Sequence, residues 1–144
     1  MELTTAQVLK QGLTAHKEGK LQDAERLYRT ILQSQPLHPD ANHNLGLLAV
    51  SSNNPEAALP FFKTALEAQP SLEQFWLSYV GTLIKCNQHE TGRKVVEQAK
   101  QRGLASEKLN SLERELTPVA GTDGADSKNP PANQLNYLLK LYQQ

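Results

Sequence analysis

Residues 39–72, PDANHNLGLLAVSSNNPEAALPFFKTALEAQPSL, form the segment from which the fold of this chain can be inferred. It places Gly46, Ala58, Phe62 and Pro70 at the offsets that a hairpin of two helices requires. Each of them has a counterpart of similar size or kind 34 positions earlier in the chain: Gly12, Ala24, Tyr28 and Pro36. The chain therefore repeats a helical hairpin, which buries its apolar face only when neighbouring hairpins stack on it.

The same interval continues after this segment with fewer matches. The matching residues 34 positions later are Asn87 for Asn53, Val96 for Phe62 and Ala99 for Ala65. Glycine and asparagine enter the left-handed backbone region most readily, so the turn inside each hairpin is predicted at Gly19, Asn53 and Asn87.

Two glycines interrupt helical patterns at equivalent places. Glycine inside a helix costs about 1 kcal/mol relative to alanine. Because this cost recurs at Gly12 and Gly46, it indicates close approach of the second helix of the hairpin. The small residues predicted to face these glycines are Ala24 and Ala58, and the residues predicted to fill the space between hairpins are Tyr28, Phe62 and Val96.

At Leu45-Gly46, Ala58, Phe62 and Pro70 the sequence resembles a tetratricopeptide repeat (TPR) protein, whose pattern is Trp-x2-Leu-Gly-x2-Tyr, then Ala-x3-Phe, then Pro. The resemblance implies an all-α fold, a right-handed α-solenoid of three helix-turn-helix hairpins. The layout is also similar to the N-terminal repeat region of a larger bacterial TPR protein. The predicted segments are hairpins at about 5–38, 39–72 and 73–105, a capping helix at 106–117, a flexible linker at 118–131 and the first helix of an incomplete repeat at 132–144.

The third repeat departs from the pattern. Trp76 occupies the tryptophan position, but Tyr79-Val80 replaces Leu-Gly and Gly92 replaces the alanine. Leu104 replaces the proline, so no sharp turn is predicted there. The helix that follows is predicted to cover the last hairpin and to present polar side chains to water.

Helix N-termini carry several capping signals. Side-chain caps are predicted at Thr4 or Thr5, and at Asn54, Ser71 and Ser106. A glutamine follows Thr4 and Ser71 three positions later, at Gln7 and Gln74, which predicts a capping box at both places. Pro60 lies too deep in its helix to be free and predicts a bend.

Composition excludes several classes of protein. The 144 residues suit one domain, and 15 basic and 15 acidic side chains cancel. A neutral chain without a dense basic run argues against a nucleic-acid partner. Cys86 is the one cysteine, so it forms no internal disulfide, and a reducing compartment is favoured. No uninterrupted apolar run approaches the length of a membrane span. A cytoplasmic protein without a membrane partner is predicted.

The residue patterns of catalysis and metal binding are missing from the sequence. The candidate ligands besides carboxylates are His16, His38, His43, His89 and Cys86. They form neither Cys-x-x-Cys nor His-Glu-x-x-His spacing, and there is no phosphate-binding glycine loop or nucleophile elbow. The prediction is a protein that is not an enzyme and has no cofactor and no metal.

The resemblance implies a binding groove instead. In TPR proteins the first helix of each hairpin lines a concave groove. The matching residues predicted to bind a peptide here are Leu9, Lys10, Leu13, His43, Asn44, Leu47, Gln74, Leu77 and Ser78. The apolar stripe of this groove comprises Leu9, Leu13, Leu47, Val50, Leu77 and Ile84. A stripe of this kind favours a protein partner, and the alternative is that some members are core residues of their own hairpins.

Two known ligand-binding arrangements of the family fit poorly. A carboxylate clamp for chaperone tails uses lysine, arginine and asparagine, and the matching residues here are Leu9, Leu13, Asn44, Gln74 and Ser78. Only Asn44 agrees, and without cations there is little to hold a terminal carboxylate. An asparagine ladder would need the positions held by Lys10, Asn44, Ser78 and Asn136, and half of them agree.

The predicted function is a protein-protein interaction scaffold that binds a peptide or amphipathic helix in the concave groove. The segment 132–144, ANQLNYLLKLYQQ, has such an apolar stripe, so it could lie in its own groove or join two copies as a homodimer. The alternative is a non-catalytic, substrate-recruiting N-terminal region of a larger glycosyl- or sulfotransferase.

Overall fold

A computed structural model of the chain describes residues 3–117, which form seven α-helices and no strand. The helices are α1 (Thr5–Lys17), α2 (Leu21–Ser34), α3 (Pro39–Ser51), α4 (Pro55–Ala68), α5 (Glu73–Lys85), α6 (His89–Gln101) and α7 (Glu107–Leu116). Each helix packs against the next along the chain, and α7 packs against both α5 and α6. The fold of this part of the chain is an all-α solenoid. The segments assigned to a linker, 118–131, and to a further helix, 132–144, lie outside the described residues.

The interval between the starts of equivalent helices continues for one helix beyond the three hairpins predicted from the sequence. The helices α1, α3, α5 and α7 begin at positions 5, 39, 73 and 107. The helices α2, α4 and α6 begin at positions 21, 55 and 89. Because α7 keeps this interval, it occupies the place of the first helix of a fourth unit while it covers the third hairpin.

The turn inside each hairpin has the predicted conformation. Gly19, Asn53 and Asn87 have φ angles of +79°, +63° and +61°, which confirms the left-handed turn at all three positions. The N–H of the residue after the turn donates to a carbonyl in the last turn of the preceding helix, as in the bond of 2.8 Å from Lys20 to Ala15. Different residues thus terminate three helices with the same backbone hydrogen bonds.

The prediction that the chain does not turn sharply near Leu104 is wrong. Gly103, the residue just before it, has a φ of +89°. The Leu104 N–H donates to the Ala99 carbonyl at 3.1 Å, in the pattern of the turns inside the hairpins. The glycine provides the sharp turn that a proline provides between the earlier hairpins, so α7 folds back onto α6.

The glycines at the repeated positions make room for aromatic rings. A Cβ atom added to Gly12 would lie 2.5 Å from Cε1 of Tyr28, and one added to Gly46 would overlap the ring of Phe62. The predicted close approach of the two helices is therefore confirmed. The side chain that contacts each glycine, however, is the aromatic ring of the second helix and not its alanine. Tyr28 also joins the core shared with Leu45 of the next hairpin.

The third hairpin solves the same packing problem with other side chains. Val80 stands at the glycine position and Val96 at the aromatic position, and both are buried. Two medium side chains thus replace one glycine and one ring. A Cβ added to Gly92 would lie 2.9 Å from Cδ2 of Leu116 in α7. The residues that depart from the repeat pattern therefore pack inside the third hairpin and against α7.

Two predicted caps are present. Thr4 and Gln7 form the capping box, because the Gln7 N–H donates to Thr4 Oγ1 at 3.1 Å and the Thr4 N–H donates to Gln7 Oε1 at 2.8 Å. Ser106 Oγ accepts the Leu109 N–H at 3.1 Å at the start of α7. Pro60 lies inside α4, as predicted, and is exposed.

Two other predicted caps are wrong. Asn54 precedes α4 but its side chain makes no capping hydrogen bond. The capping box of Ser71 does not form, because the residue that precedes α5 is Leu72. The structure instead shows a cap that the sequence pattern did not indicate, in which Nδ1 of His38 accepts the Ala41 N–H at 3.1 Å.

Equivalent hydrogen bonds tie down the two connections between hairpins. Trp76 is buried, and its Nε1–H donates to the Pro70 carbonyl at 2.8 Å. At the equivalent place one hairpin earlier, the buried Asn42 donates from Nδ2 to the Pro36 carbonyl at 3.1 Å. These side-chain hydrogen bonds hold each connection against the first helix of the hairpin that follows.

Candidate functional site

The helices α1, α3, α5 and α7 form one side of the solenoid, here called the first-helix face. His43 of α3 is hydrogen-bonded to Ser78 of α5, and Leu77 of α5 lines a cleft of about 400 Å³ with Leu112 of α7. All nine residues predicted to bind a peptide lie on α1, α3 and α5. The structure therefore brings their helices together on this face.

The six residues of the predicted apolar stripe divide into two groups. Leu9, Leu77 and Ile84 pack against the buried core clusters. Leu13, Leu47 and Val50 belong to neither cluster; Leu13 is 39% exposed and the other two are half-buried. The alternative that some of the stripe is hairpin core therefore holds for the first group, and the second group supplies apolar surface beyond the cores.

Gly81 interrupts this apolar surface in the third hairpin. It occupies the repeat position that Leu13 holds in the first hairpin and Leu47 in the second. No atom lies within 4 Å of a Cβ added to Gly81. The face therefore lacks a leucine at this position and has open space in its place.

Three of the polar residues of the predicted site form a connected group. Gln74 is exposed, and its Nε2 donates to Ser78 Oγ at 3.3 Å. His43 Nε2 lies 2.8 Å from the same hydroxyl oxygen. Asn44 is half-buried and Lys10 is exposed. A ligand on this face would therefore meet amide, hydroxyl and ammonium groups beside the leucines.

The His43 ring is buried beneath the surface of the first-helix face. The residue is 8% exposed, and its ring lies 4.7 Å from the ring of Phe75 and 5.3 Å from that of Phe62, measured between centroids. Burial lowers the pKa of His43 below its ordinary value of 6.5, and the carboxylate of Asp40 opposes this change. The imidazole is therefore held in its neutral form at neutral pH.

We expect this histidine to make the fold less stable in mild acid. The pKa of His43 in the folded chain lies below the unfolded value of 6.5, so the unfolded chain binds the proton first as the pH falls. Stability from the neutral ring is present above pH 6.5 and is lost as the pH falls toward the folded pKa. His43→Leu, which installs the residue found at the equivalent positions Leu9 and Leu77, should reduce the difference in unfolding free energy between pH 7.5 and 5.5.

Chemical denaturation of both proteins at the two pH values measures this difference. An unchanged difference in His43→Leu would contradict the assignment.

The first-helix face also contains residues that the sequence analysis did not include. Lys108, Ser111 and Leu112 of α7 line the cleft that Gln74 and Leu77 border. Lys108 occupies the repeat position that Gln74 holds in the third hairpin. The repeat interval could have indicated these residues, but the weak repeat pattern after position 105 suggested only a cap.

No group of three or more His, Cys, Asp and Glu side chains within residues 3–117 is arranged to hold a metal ion. In the same part of the chain, no helix combines the length and apolar character needed to cross a membrane.

Comparisons with known proteins agree on the fold. Residues 9–73 match the family model described as tetratricopeptide repeat. No curated protein is similar enough in sequence to match the chain.

Solved structures with the same helix arrangement share little sequence with this chain. The first TPR domain of Spaghetti (RPAP3), bound to the HSP90 peptide SRMEEVD, is 14% identical and has a TM-score of 0.68, with 78% of this chain and 89% of that chain covered. The Sgt2 TPR domain from Aspergillus fumigatus is 16% identical with a TM-score of 0.68, and 89% and 83% are covered. PilF from Pseudomonas aeruginosa is 17% identical with a TM-score of 0.63, and 98% and 67% are covered. Because these sequence identities are low, the similarity indicates a shared fold and nothing about the ligand.

Proposed function

We propose that this chain, whose residues 9–73 match the tetratricopeptide repeat model and whose fold matches solved TPR domains, is a non-catalytic interaction scaffold that binds a peptide or an amphipathic helix on its first-helix face. The observation that carries this proposal is the apolar surface of Leu13, Leu47 and Val50, which neither core cluster uses. A solved TPR domain of the same fold holds a peptide, so a solenoid of this size can do so.

The residues around this surface favour an apolar ligand. The positions where a carboxylate clamp would place cations hold Leu9, Gln74 and Ser78. A terminal carboxylate would therefore find no charge-assisted hydrogen bond at these positions. The ligand that fits is one with an apolar stripe, flanked by backbone or side-chain groups that bond to Asn44 and Gln74.

The open space at Gly81 indicates where the largest apolar side chain of the ligand lies. Leucines at positions 13 and 47 contact small or medium side chains of a ligand, whereas the missing leucine at position 81 leaves room for a larger one. Large aromatic and aliphatic anchors that fill a pocket contribute most of the energy at many protein interfaces. A ligand that carries its largest apolar side chain opposite Gly81 therefore fits best.

The double substitution Leu13→Glu/Leu47→Glu should weaken binding at least tenfold, because it places two carboxylates on the apolar surface. The probe is a fluorescein-labelled synthetic peptide of residues 132–144, ANQLNYLLKLYQQ, and the readout is its fluorescence anisotropy. If two copies of the chain exchange this segment as a homodimer, the same substitutions should also lower the solution mass of the full chain. Leu77 is unsuitable for this test because it packs against the core.

The matched control is Leu37→Glu, since Leu37 is 68% exposed and lies between α2 and α3, outside the first-helix face. It should bind the peptide as the unsubstituted chain does. Circular dichroism of all proteins should show the same helix content. Equal loss of binding in the control and the double variant would argue against this face.

A further inference from the structure

The opposite side of the solenoid has two clefts at equivalent places. One lies between α2 and α4 and has a volume of about 250 Å³. The other lies between α4 and α6 and has a volume of about 740 Å³, within the range of about 300–1,000 Å³ that ligand pockets span. The hairpins repeat, yet the second cleft is much larger than the first.

The two clefts differ in the side chains at equivalent repeat positions. Phe61 lines the smaller cleft, and the guanidinium carbon of Arg29 lies 5.8 Å from the centre of its ring. The equivalent positions one repeat later hold Val95 and Lys63. The larger cleft therefore lacks the Phe61 ring and the stacked guanidinium, and Tyr79 of α5 lines it at the repeat position where Leu45 lines the smaller cleft.

The two clefts also differ in charge. In the smaller one, Arg29 Nε donates to Glu25 Oε2 at 2.9 Å, so the two charges compensate. The cations that line the larger cleft are Lys63, Lys94 and Arg102, and its carboxylate is Glu67. Among residues 3–117 none of these three cations takes part in an ion pair. The larger cleft is therefore positive, in a chain whose overall charge is balanced.

We propose that the cleft between α4 and α6 is a second binding site, which takes a short acidic peptide segment of a partner protein. Carboxylates of the segment pair with Lys63, Lys94 and Arg102, and an apolar side chain between them packs on Leu66 and Val95. Gln98 and Gln101 line the same cleft and offer amide groups to the peptide backbone. This site lies on the other side of the solenoid from the first-helix face, so the scaffold can hold two segments at once.

The cleft suits a peptide better than a nucleic acid. Nucleic-acid affinity comes mainly from many phosphate contacts along a basic surface, and here three cations surround a partly apolar cleft. Charge-assisted hydrogen bonds between carboxylates and lysine or arginine are stronger than neutral ones. An acidic segment with a central apolar residue would contact both the cations and the apolar side chains of the cleft.

Anisotropy titrations with a fluorescein-labelled peptide EELEE test this site, and the labelled peptide QQLQQ measures the contribution of charge. We expect the full chain to bind EELEE at least tenfold more tightly than QQLQQ at about 50 mM salt, with weaker binding at about 300 mM. Lys63→Glu/Lys94→Glu should reduce EELEE binding at least tenfold. The matched control Lys17→Glu/Lys85→Glu makes the same change in net charge at exposed positions outside the cleft and should change binding less than twofold.

Each other outcome would overturn the proposal. Equal binding of the two peptides would show that the charges do not select the ligand, and equal loss in both charge variants would show that only net charge matters. An oligothymidine of ten nucleotides that binds this cleft more tightly than EELEE would assign it to nucleic acid instead. Leu13→Glu/Leu47→Glu should retain EELEE binding to within about threefold after allowance for its own added charge, which separates this site from the first-helix face.

Discussion

Gly46→Val and Phe62→Val should each destabilise the fold, and the two together should cost less than their sum. The valine at position 46 would overlap the Phe62 ring, and overpacking of this kind costs about 1–3 kcal/mol. Phe62→Val leaves a cavity, with a cost somewhat below the about 3–5 kcal/mol of a phenylalanine-to-alanine change. The double variant recreates the third hairpin, where Val80 and Val96 are buried at these positions.

Chemical denaturation of the four proteins in this double-mutant cycle gives the coupling free energy. We expect about 1–3 kcal/mol of favourable coupling, within the range seen for residues in contact. Gly81→Val is the control for placing a valine within a helix, because no atom lies within 4 Å of a Cβ there, and it should change stability by less than about 1 kcal/mol. Additive costs in the cycle would mean that the two positions do not compensate each other.

Leu109→Ala should destabilise the described part of the chain by about 2–5 kcal/mol. Its side chain is 0% exposed and lies in the core cluster with Val96 and Ala99 of α6. The substitution leaves a cavity where α7 covers the third hairpin, so amide protons of α6 should also exchange faster. Unfolding in denaturant measures the first effect, and hydrogen exchange measures the second.

Leu112→Ala is the matched control for this helix. Leu112 is half-buried and lines the cleft on the first-helix face, so its truncation should cost less than that of Leu109. Equal costs for the two leucines would show that α7 does not pack on the third hairpin through Leu109.

The N-termini of α1 and α5 show that a local capping pattern does not by itself determine where a helix begins. Thr4-x-x-Gln7 formed the predicted capping box, whereas Ser71-x-x-Gln74 has the same spacing and did not. The residues that precede α1, α3, α5 and α7 are Thr4, His38, Leu72 and Ser106, which keep the repeat interval. Ser71 lies one residue before that position, so its side chain does not cap α5. A capping motif therefore forms only where the helix begins at the right residue.

Local sequence was enough to specify the repeat interval, the left-handed turns at Gly19, Asn53 and Asn87, and the helices that carry the predicted site residues. These features follow from backbone conformation and helical periodicity, which nearby residues control. Packing between helices selects which of those residues remain free to bind a ligand. Leu9 and Leu13 are four positions apart on one helix, yet Leu9 packs into a core and Leu13 is exposed.

The charged cleft between α4 and α6 likewise depends on tertiary structure. Lys63 and Lys94 are 31 positions apart in the sequence, and each lies among residues of mixed charge. They line one cleft because α4 and α6 both pack against α5, and Val95 lines that cleft at the repeat position of Phe61. The volume and charge of a site between helices depend on side chains from several repeats, which the pattern of any one repeat does not specify.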